Sequence, residues 1–214
     1  MIYTENISTI IFDFGGVLIN LDLDRCIKRF NELGVKNFEE NLSNFGQKGF
    51  FLQFEKGEIG VSEFCDNVRK YAALALTDQQ IIDAWCLFLV GISDYKIEVL
   101  LELKKKYRIL LLSNTNPLHI EISAANEFAR FGLKMDDVFE KSYLSYEMKM
   151  AKPDAEIFQA LLKDAKVKPE ECLFLDDGPK NIEQATKLGI QSYLVDVNED
   201  LRKLVNSLKL IVEN

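Results

Sequence analysis

The sequence predicts an α/β fold: a Rossmann-like parallel sheet interrupted by an inserted helical module. Three observations carry that expectation. Short apolar runs of strand length recur along the chain, amphipathic helical patterns separate most of them, and one long interval after the first run reads as helix throughout.

The runs lie at 8–12, 108–112, 141–144, 172–175 and 191–195, each rich in Ile, Leu, Val or aromatic residues. Continuous apolarity over so few residues suits strands buried on both faces, as in parallel sheets joined by right-handed helical crossovers. The stretch 95–106 places Ile97, Leu100, Leu101 and Leu103 on one helical side, with Glu and Lys opposite. Stretches 154–166 and 181–188 behave similarly, and Gly189 supplies a C-terminal cap. From Asn20 to Ile92 the pattern is helical, with no strand. Thr77 and Gln80 form a capping box, Ser62 is placed to cap a second helix, and Phe45, Phe50, Phe51 and Phe54 form a stripe that fits a ligand surface or, more commonly, the module's own core. The expected division is therefore a core of 1–18 and 94–214 and a helical cap of 19–93.

Length and composition bound the function. At 214 residues with 48% hydrophobic content, the chain can bury one substantial core and a modest insertion. A net charge of −8 disfavours nucleic-acid backbones and anionic membranes as partners, because both require a basic face. Four separated cysteines (Cys26, Cys65, Cys86, Cys172) form neither a zinc signature nor a disulfide framework. The N-terminus lacks the pattern of a secretion signal and no segment reaches membrane-spanning length without charges. The expectation is a cytoplasmic protein, a monomer or weak homodimer.

Chemistry-bearing residues follow three of the apolar runs. Asp13 comes after the first, Ser113 and Asn114 after the second, and Asp176 and Asp177 after the fourth. Open parallel sheets bind ligands outside the carboxyl ends of their strands. Three converging aspartates repel unless a cation lies between them, and hard oxygen ligands suit Mg2+. His119 is the lone histidine, so a zinc site is excluded. Gly15 and Gly16 allow a sharp turn after Asp13, Ser113 and Asn114 offer donors to a phosphoryl group, and Lys152 before Pro153 supplies a fixed cation. A nucleophile, a metal, oxyanion donors and a cation meet the needs of phosphoryl transfer. Taken singly, each acid also fits a turn or cap.

With those residues in place, the sequence resembles the haloacid dehalogenase superfamily over nearly its whole length. IIFDFGGVL at 10–18, LLSNTN at 111–116, Lys152–Pro153 and FLDDG at 174–178 match its four motifs, and the helical insertion resembles its C1 cap. KPDAEIF at 152–158 and DDGPKNI at 176–182 resemble a subgroup that includes alpha-D-glucose-1-phosphate phosphatases. The resemblance implies a Mg2+-dependent hydrolase of small phosphate monoesters, such as a sugar phosphate. It makes Asp13 the nucleophile and a metal ligand, and Gly15 a metal ligand through its carbonyl. Ser113, Asn114 and Lys152 become phosphoryl ligands, with Lys152 also steadying Asp13. Asp177 is the metal-binding acid, with Asp176 in the same shell or behind it.

One position departs from the family. Gly15 stands where an acid-base aspartate is usual, and such a group typically contributes about 10²–10⁴ in rate. Three consequences stay open: restriction to good leaving groups such as an anomeric oxygen, an acid supplied by Asp22 or Asp24 at the cap entrance, or a weak phosphosugar-binding protein. A 2-haloacid dehalogenase is the enzymatic rival. In the cap, Lys56 and Glu58 of the turn 55–60 are candidate substrate contacts. Arg25 is expected to pair with Asp22 or Asp24, and His119, just past the second motif, is either a contact to the substrate or, more commonly for a lone histidine early in a helix, a surface or capping residue.

Overall fold

The computed structural model describes residues 4–37, 42, 47–197 and 199–211. After a short 3-10 turn (Thr4–Asn6) come strand β1 (Thr9–Phe12) and then β2 (Ile19–Leu21). Helices α1 (Leu23–Glu32), α2 (Gly49–Glu55), α3 (Val61–Arg69) and α4 (Asp78–Cys86) follow, and β3 (Leu89–Ile92) returns. The remainder alternates: α5 (Asp94–Lys104), β4 (Arg108–Ser113), the short helices α6 (Ala125–Ala129) and α7 (Met135–Val138), β5 (Lys141–Leu144), and α8 (Ser145–Met148). It ends with α9 (Ala155–Ala165), β6 (Cys172–Asp176), α10 (Pro179–Lys187), β7 (Gln191–Leu194) and α11 (Leu201–Ser207).

Five strands form one sheet in the order β5-β4-β1-β6-β7, every neighbouring pair parallel. The expected α/β class and all five expected strands are therefore present. Side-chain alternation splits the core in two. Ile10, Phe12, Ile109, Leu111, Leu173 and Leu175 face one side, where Leu100 and Leu103 of α5 and Leu204 of α11 cover them. Ile11, Leu110, Leu112 and Phe174 face the other, packed on Ile157, Phe158 and Leu161 of α9. β1 sits centrally, with β4 on one flank and β6 on the other. The three strands that end in polar residues are thus adjacent, and their carboxyl ends share one rim.

The inserted segment has its own apolar core, built from Cys26, Phe30, Phe51, Phe54, Phe64 and Trp85 among others. Phe54 stacks on Phe64 with centroids 4.4 Å apart, and Phe51 packs against Trp85 at 5.2 Å. The phenylalanine stripe is core at Phe51 and Phe54, and Phe50 packs against it half-buried; Phe45 lies outside the described residues.

Four expectations are corrected. The interval 20–92 is not strand-free: β2 and β3 pair antiparallel where the chain leaves and re-enters the sheet. They are three and four residues long, with mixed burial and Gly91 inside β3, so no periodicity marks them. Ser62 does not cap α3; Gly60 holds the cap position and Ser62 lies within the helix. Leu101 of α5 points to solvent, and Val99 takes its place in the core. Arg25 is exposed and forms no side-chain ion pair among the described residues; its main-chain N–H instead donates to Asp22, which caps α1.

Candidate active site

The rim is built around a buried lysine. Lys152, in the segment between α8 and α9, has its side chain 1% exposed. Its Nζ lies 2.8 Å from Asp13 Oδ1, 2.6 Å from Asp176 Oδ2 and 2.9 Å from the Leu112 carbonyl. An ammonium has three hydrogens, so all its donors are committed. Burial pulls Lys152 down, but the two carboxylates outweigh that and hold its pKa above the usual value.

Asp13 follows β1, and its N–H donates to the Leu175 carbonyl. Its Oδ1 accepts from Phe14 N at 2.7 Å as well as from Lys152, which leaves Oδ2 for other partners. Burial raises Asp13 well above the ordinary carboxylate range; Lys152 pulls it back, and Asp176 and Asp177 push it further up. Asp176 is fully buried. It accepts from Lys152 on Oδ2, and from Gly178 N at 2.7 Å and Asn181 Nδ2 at 2.9 Å on Oδ1. Asp177 takes no side-chain hydrogen bond from another described residue, and burial followed by Asp176 pushes it to about 6. Gly16 passes Asp177 so closely that a Cβ there would sit 2.0 Å from Oδ2, at a φ of +74°. The turn's own hydrogen bonds fall on Phe14 and Ile19, outside the Gly15 carbonyl.

Asp13, Asp176 and Asp177 each offer an oxygen within 4.8 Å of the others, the one such acidic group among the described residues. Three carboxylates face a single ammonium there. The donor set is all oxygen, and its two most perturbed acids are those a cation would hold ionised, so it fits a hard divalent ion such as Mg2+.

Ser113, 2% exposed, lines the same pocket. Asn114 exchanges two bonds with the main chain of Lys152, Nδ2 to O and N to Oδ1, both 2.8 Å. It therefore positions the lysine, with its own main-chain N–H outside that exchange. Asp22 and Asp24 do not line the pocket: Asp22 is spent on capping α1 and Asp24 is exposed. Lys56 lies 3.6 Å from Asp154 at the outer mouth, and Glu58 is exposed.

His119 is not a surface residue. It is buried, its ring stacked on Trp85 at 4.8 Å. Nε2 donates to the Trp85 carbonyl at 3.2 Å, so Nδ1 is the acceptor for Asn116 Nδ2 at 3.1 Å. Burial lowers it to about 4.

Several residues of the site were not legible beforehand. Lys96 of α5 is buried and donates to the Val17 carbonyl at 2.7 Å, anchoring the loop behind Asp13. Ser145 accepts from Thr115 N at 2.9 Å and donates to the Glu55 carbonyl at 2.6 Å, tying the inserted module to the rim. Glu55, 6% exposed, lines the pocket from the end of α2. Its position on the same helical face as Phe51 and Phe54 was the available signal: an acid on the buried stripe of an amphipathic helix.

A family model described as haloacid dehalogenase-like hydrolase matches residues 7–189. The D-ribitol-5-phosphate phosphatase of Bacteroides thetaiotaomicron is 34% identical over 197 residues, covering 92% of this chain and 96% of its own length. A wild-type family enzyme from the same organism, solved with magnesium and inorganic phosphate, is 46% identical with a TM-score of 0.87, covering 92% of this chain and 98% of that one. A HAD-like family hydrolase from Porphyromonas gingivalis is 39% identical with a TM-score of 0.87, over 95% and 98%.

Proposed function

This chain belongs to the haloacid dehalogenase-like hydrolases, and from that premise we propose that it is a Mg2+-dependent phosphatase of a small sugar or polyol phosphate, working through an aspartyl-phosphate on Asp13. The observation that carries the reading is the charge imbalance at the rim, where, among the described residues, Asp13, Asp176 and Asp177 meet Lys152 as their one cation. A phosphate ester adds negative charge to a site already negative, which requires a divalent cation.

Asp13, Asp177 and the Gly15 carbonyl would hold that ion, with Asp176 behind them orienting Lys152. Bound Mg2+ supplies charge neutralisation for the phosphoryl oxygens. Asp13 Oδ2 attacks phosphorus while Lys152 fixes Oδ1, so the nucleophile loses little freedom on the way to the transition state. Ser113 and the Asn114 main-chain N–H donate to the phosphoryl oxygens. Water then cleaves the aspartyl-phosphate and frees phosphate. Residues 19–93 act as a cap over a core of 1–18 and 94–214. Lys48, Lys56 and Lys180 around the outer mouth give an acidic protein a locally basic entrance for an anionic ester.

The substrate class follows the relatives as well as the site. Subgroup resemblance points to alpha-D-glucose 1-phosphate, and the 34% identical relative is named for D-ribitol 5-phosphate. No helix among the described residues is long and apolar enough to cross a membrane. A phosphate-release screen over sugar phosphates, polyol phosphates, nucleotides and 2-haloacids, with Mg2+ or EDTA, tests the proposal. Mg2+-dependent release led by sugar or polyol phosphates is expected. Halide release that survives EDTA would replace it with dehalogenation.

A further inference from the structure

With Gly15 two residues after Asp13, the core offers the leaving group no proton there. An alkoxide expelled unprotonated is a poor leaving group, and a positioned acid is the usual remedy. Among the described residues, Asp13, Glu55, His119, Lys152 and Asp177 are the titratable side chains lining the pocket. Asp13 is the nucleophile. Lys152 has all three hydrogens engaged. Both ring nitrogens of His119 are engaged, by Asn116 and the Trp85 carbonyl. Asp177 belongs to the cation. Glu55 remains.

Glu55 is set up in a way that packing alone does not explain. It ends α2 with Phe51 and Phe54 on the same buried face, and only 6% of it is exposed. Its Oε2 has no hydrogen-bond partner among the described residues. A buried, unsatisfied polar atom costs roughly 1–3 kcal/mol, so stability gives no reason for a carboxyl here. Such orphaned groups call for a functional explanation. Its backbone is nevertheless held firmly, since Ser145 bonds its carbonyl at 2.6 Å and Lys149 bonds the carbonyl of Gly57 two residues on. The side chain faces both the inner pocket and the larger outer one beside Pro153 and Lys180, so it stands where the phosphoryl compartment meets the space for the rest of the ester. Asp13 enters from the sheet and Glu55 from the inserted module.

We propose that Glu55 is the acid-base residue of this enzyme, taking from the cap the role that Gly15 cannot fill in the core. The inference rests on the phosphatase reading and extends it. As Asp13 Oδ2 bonds to phosphorus and the P–O ester bond breaks, the Glu55 proton passes to the departing alcohol oxygen and Glu55 becomes a carboxylate. Water then attacks phosphorus, its proton returns to Glu55, the P–O bond to Asp13 breaks, and phosphate leaves. Burial, only partly offset by Lys152, pushes Glu55 to about 8, which keeps it protonated at neutral pH for the first step. The consequence for substrate class is direct. With Glu55 in place the enzyme is not confined to esters with a good leaving group, and a primary alkyl phosphate becomes a competent substrate.

The test compares two substrates in the Mg2+-loaded enzyme: ribitol 5-phosphate, whose alkoxide needs a proton, and p-nitrophenyl phosphate, whose phenolate does not. Glu55→Gln keeps shape and loses the transferable proton. Its kcat on the alkyl ester is expected to fall about 10²–10⁴-fold, and on the aryl ester by a factor at least about ten times smaller. Glu55→Asp, which retains a carboxyl, recovers part of the alkyl-ester loss. Equal losses on both esters, or a change confined to KM, would overturn the proposal in favour of a structural or binding role. Asp13→Asn serves as the separate control. Loss of both activities there sustains the phosphatase reading whatever Glu55 does, and retained turnover removes that reading and this inference together.

Discussion

Lys152→Met removes the one cation that pairs with Asp13 and Asp176 among the described residues, while keeping an unbranched side chain of similar length. At an effective dielectric of about 20, each carboxylate contact at 2.6–2.8 Å represents roughly 6 kcal/mol of gross attraction. Desolvation of the three buried charges consumes most of it. The net cost of leaving Asp13 and Asp176 without their partner is about 3–5 kcal/mol. For a chain of 214 residues this corresponds to a melting-temperature drop of roughly 6–20 °C. Urea and thermal unfolding of wild type and variant in EDTA measure it. The gap is expected to narrow when Mg2+ is added, because a cation at Asp13 and Asp177 replaces part of the missing charge. A loss below about 1 kcal/mol in EDTA would refute the claim that Lys152 carries the rim's charge balance.

Two further outcomes follow from the same geometry. His119, at about 4 in the folded protein, takes up a proton less readily than the unfolded chain, where histidine titrates near 6.5. Stability present above pH 6.5 is therefore lost as pH falls toward 4, by about 3 kcal/mol over the window, and His119→Gln should remove that slope from urea midpoints; parallel wild-type and variant profiles would contradict it. Gly16→Ala would drive a Cβ into Asp177 Oδ2 at a strained φ of +74°, so the Mg2+ concentration for half-maximal phosphate release should rise about 10–100-fold, and an unchanged metal requirement would show that Asp177 is not a ligand.

The three central strands β1, β4 and β6 were legible because they are buried on both faces and so read as unbroken apolar runs, whereas the edge strands β5 and β7 are only partly buried and stood out by their place between helical patterns. Asp13, Ser113, Asp176 and Asp177 were legible as candidates because parallel topology sends every strand's carboxyl end to one side. β2 and β3 were not, since three or four residues with mixed burial carry no period. His119 and Glu55 escaped for a different reason. Their surroundings are tertiary: the histidine's stacking partner Trp85 lies 34 residues away, and the serine that fixes the Glu55 carbonyl lies 90 residues away. A sequence pattern records which face of a helix is buried, not which cavity that face overlooks. The same limit hid the pairing of Asn114 with the Lys152 main chain, made across 38 residues.

Asp13 is expected to become phosphorylated during turnover. Mass analysis of acid-quenched enzyme, mixed with substrate and Mg2+, measures it on the peptide bearing Asp13. One added phosphoryl group in the wild type, absent from Asp13→Asn along with phosphate release, is the predicted result. An Asp13→Asn enzyme that still releases phosphate at the wild-type rate would rule out Asp13 as the nucleophile.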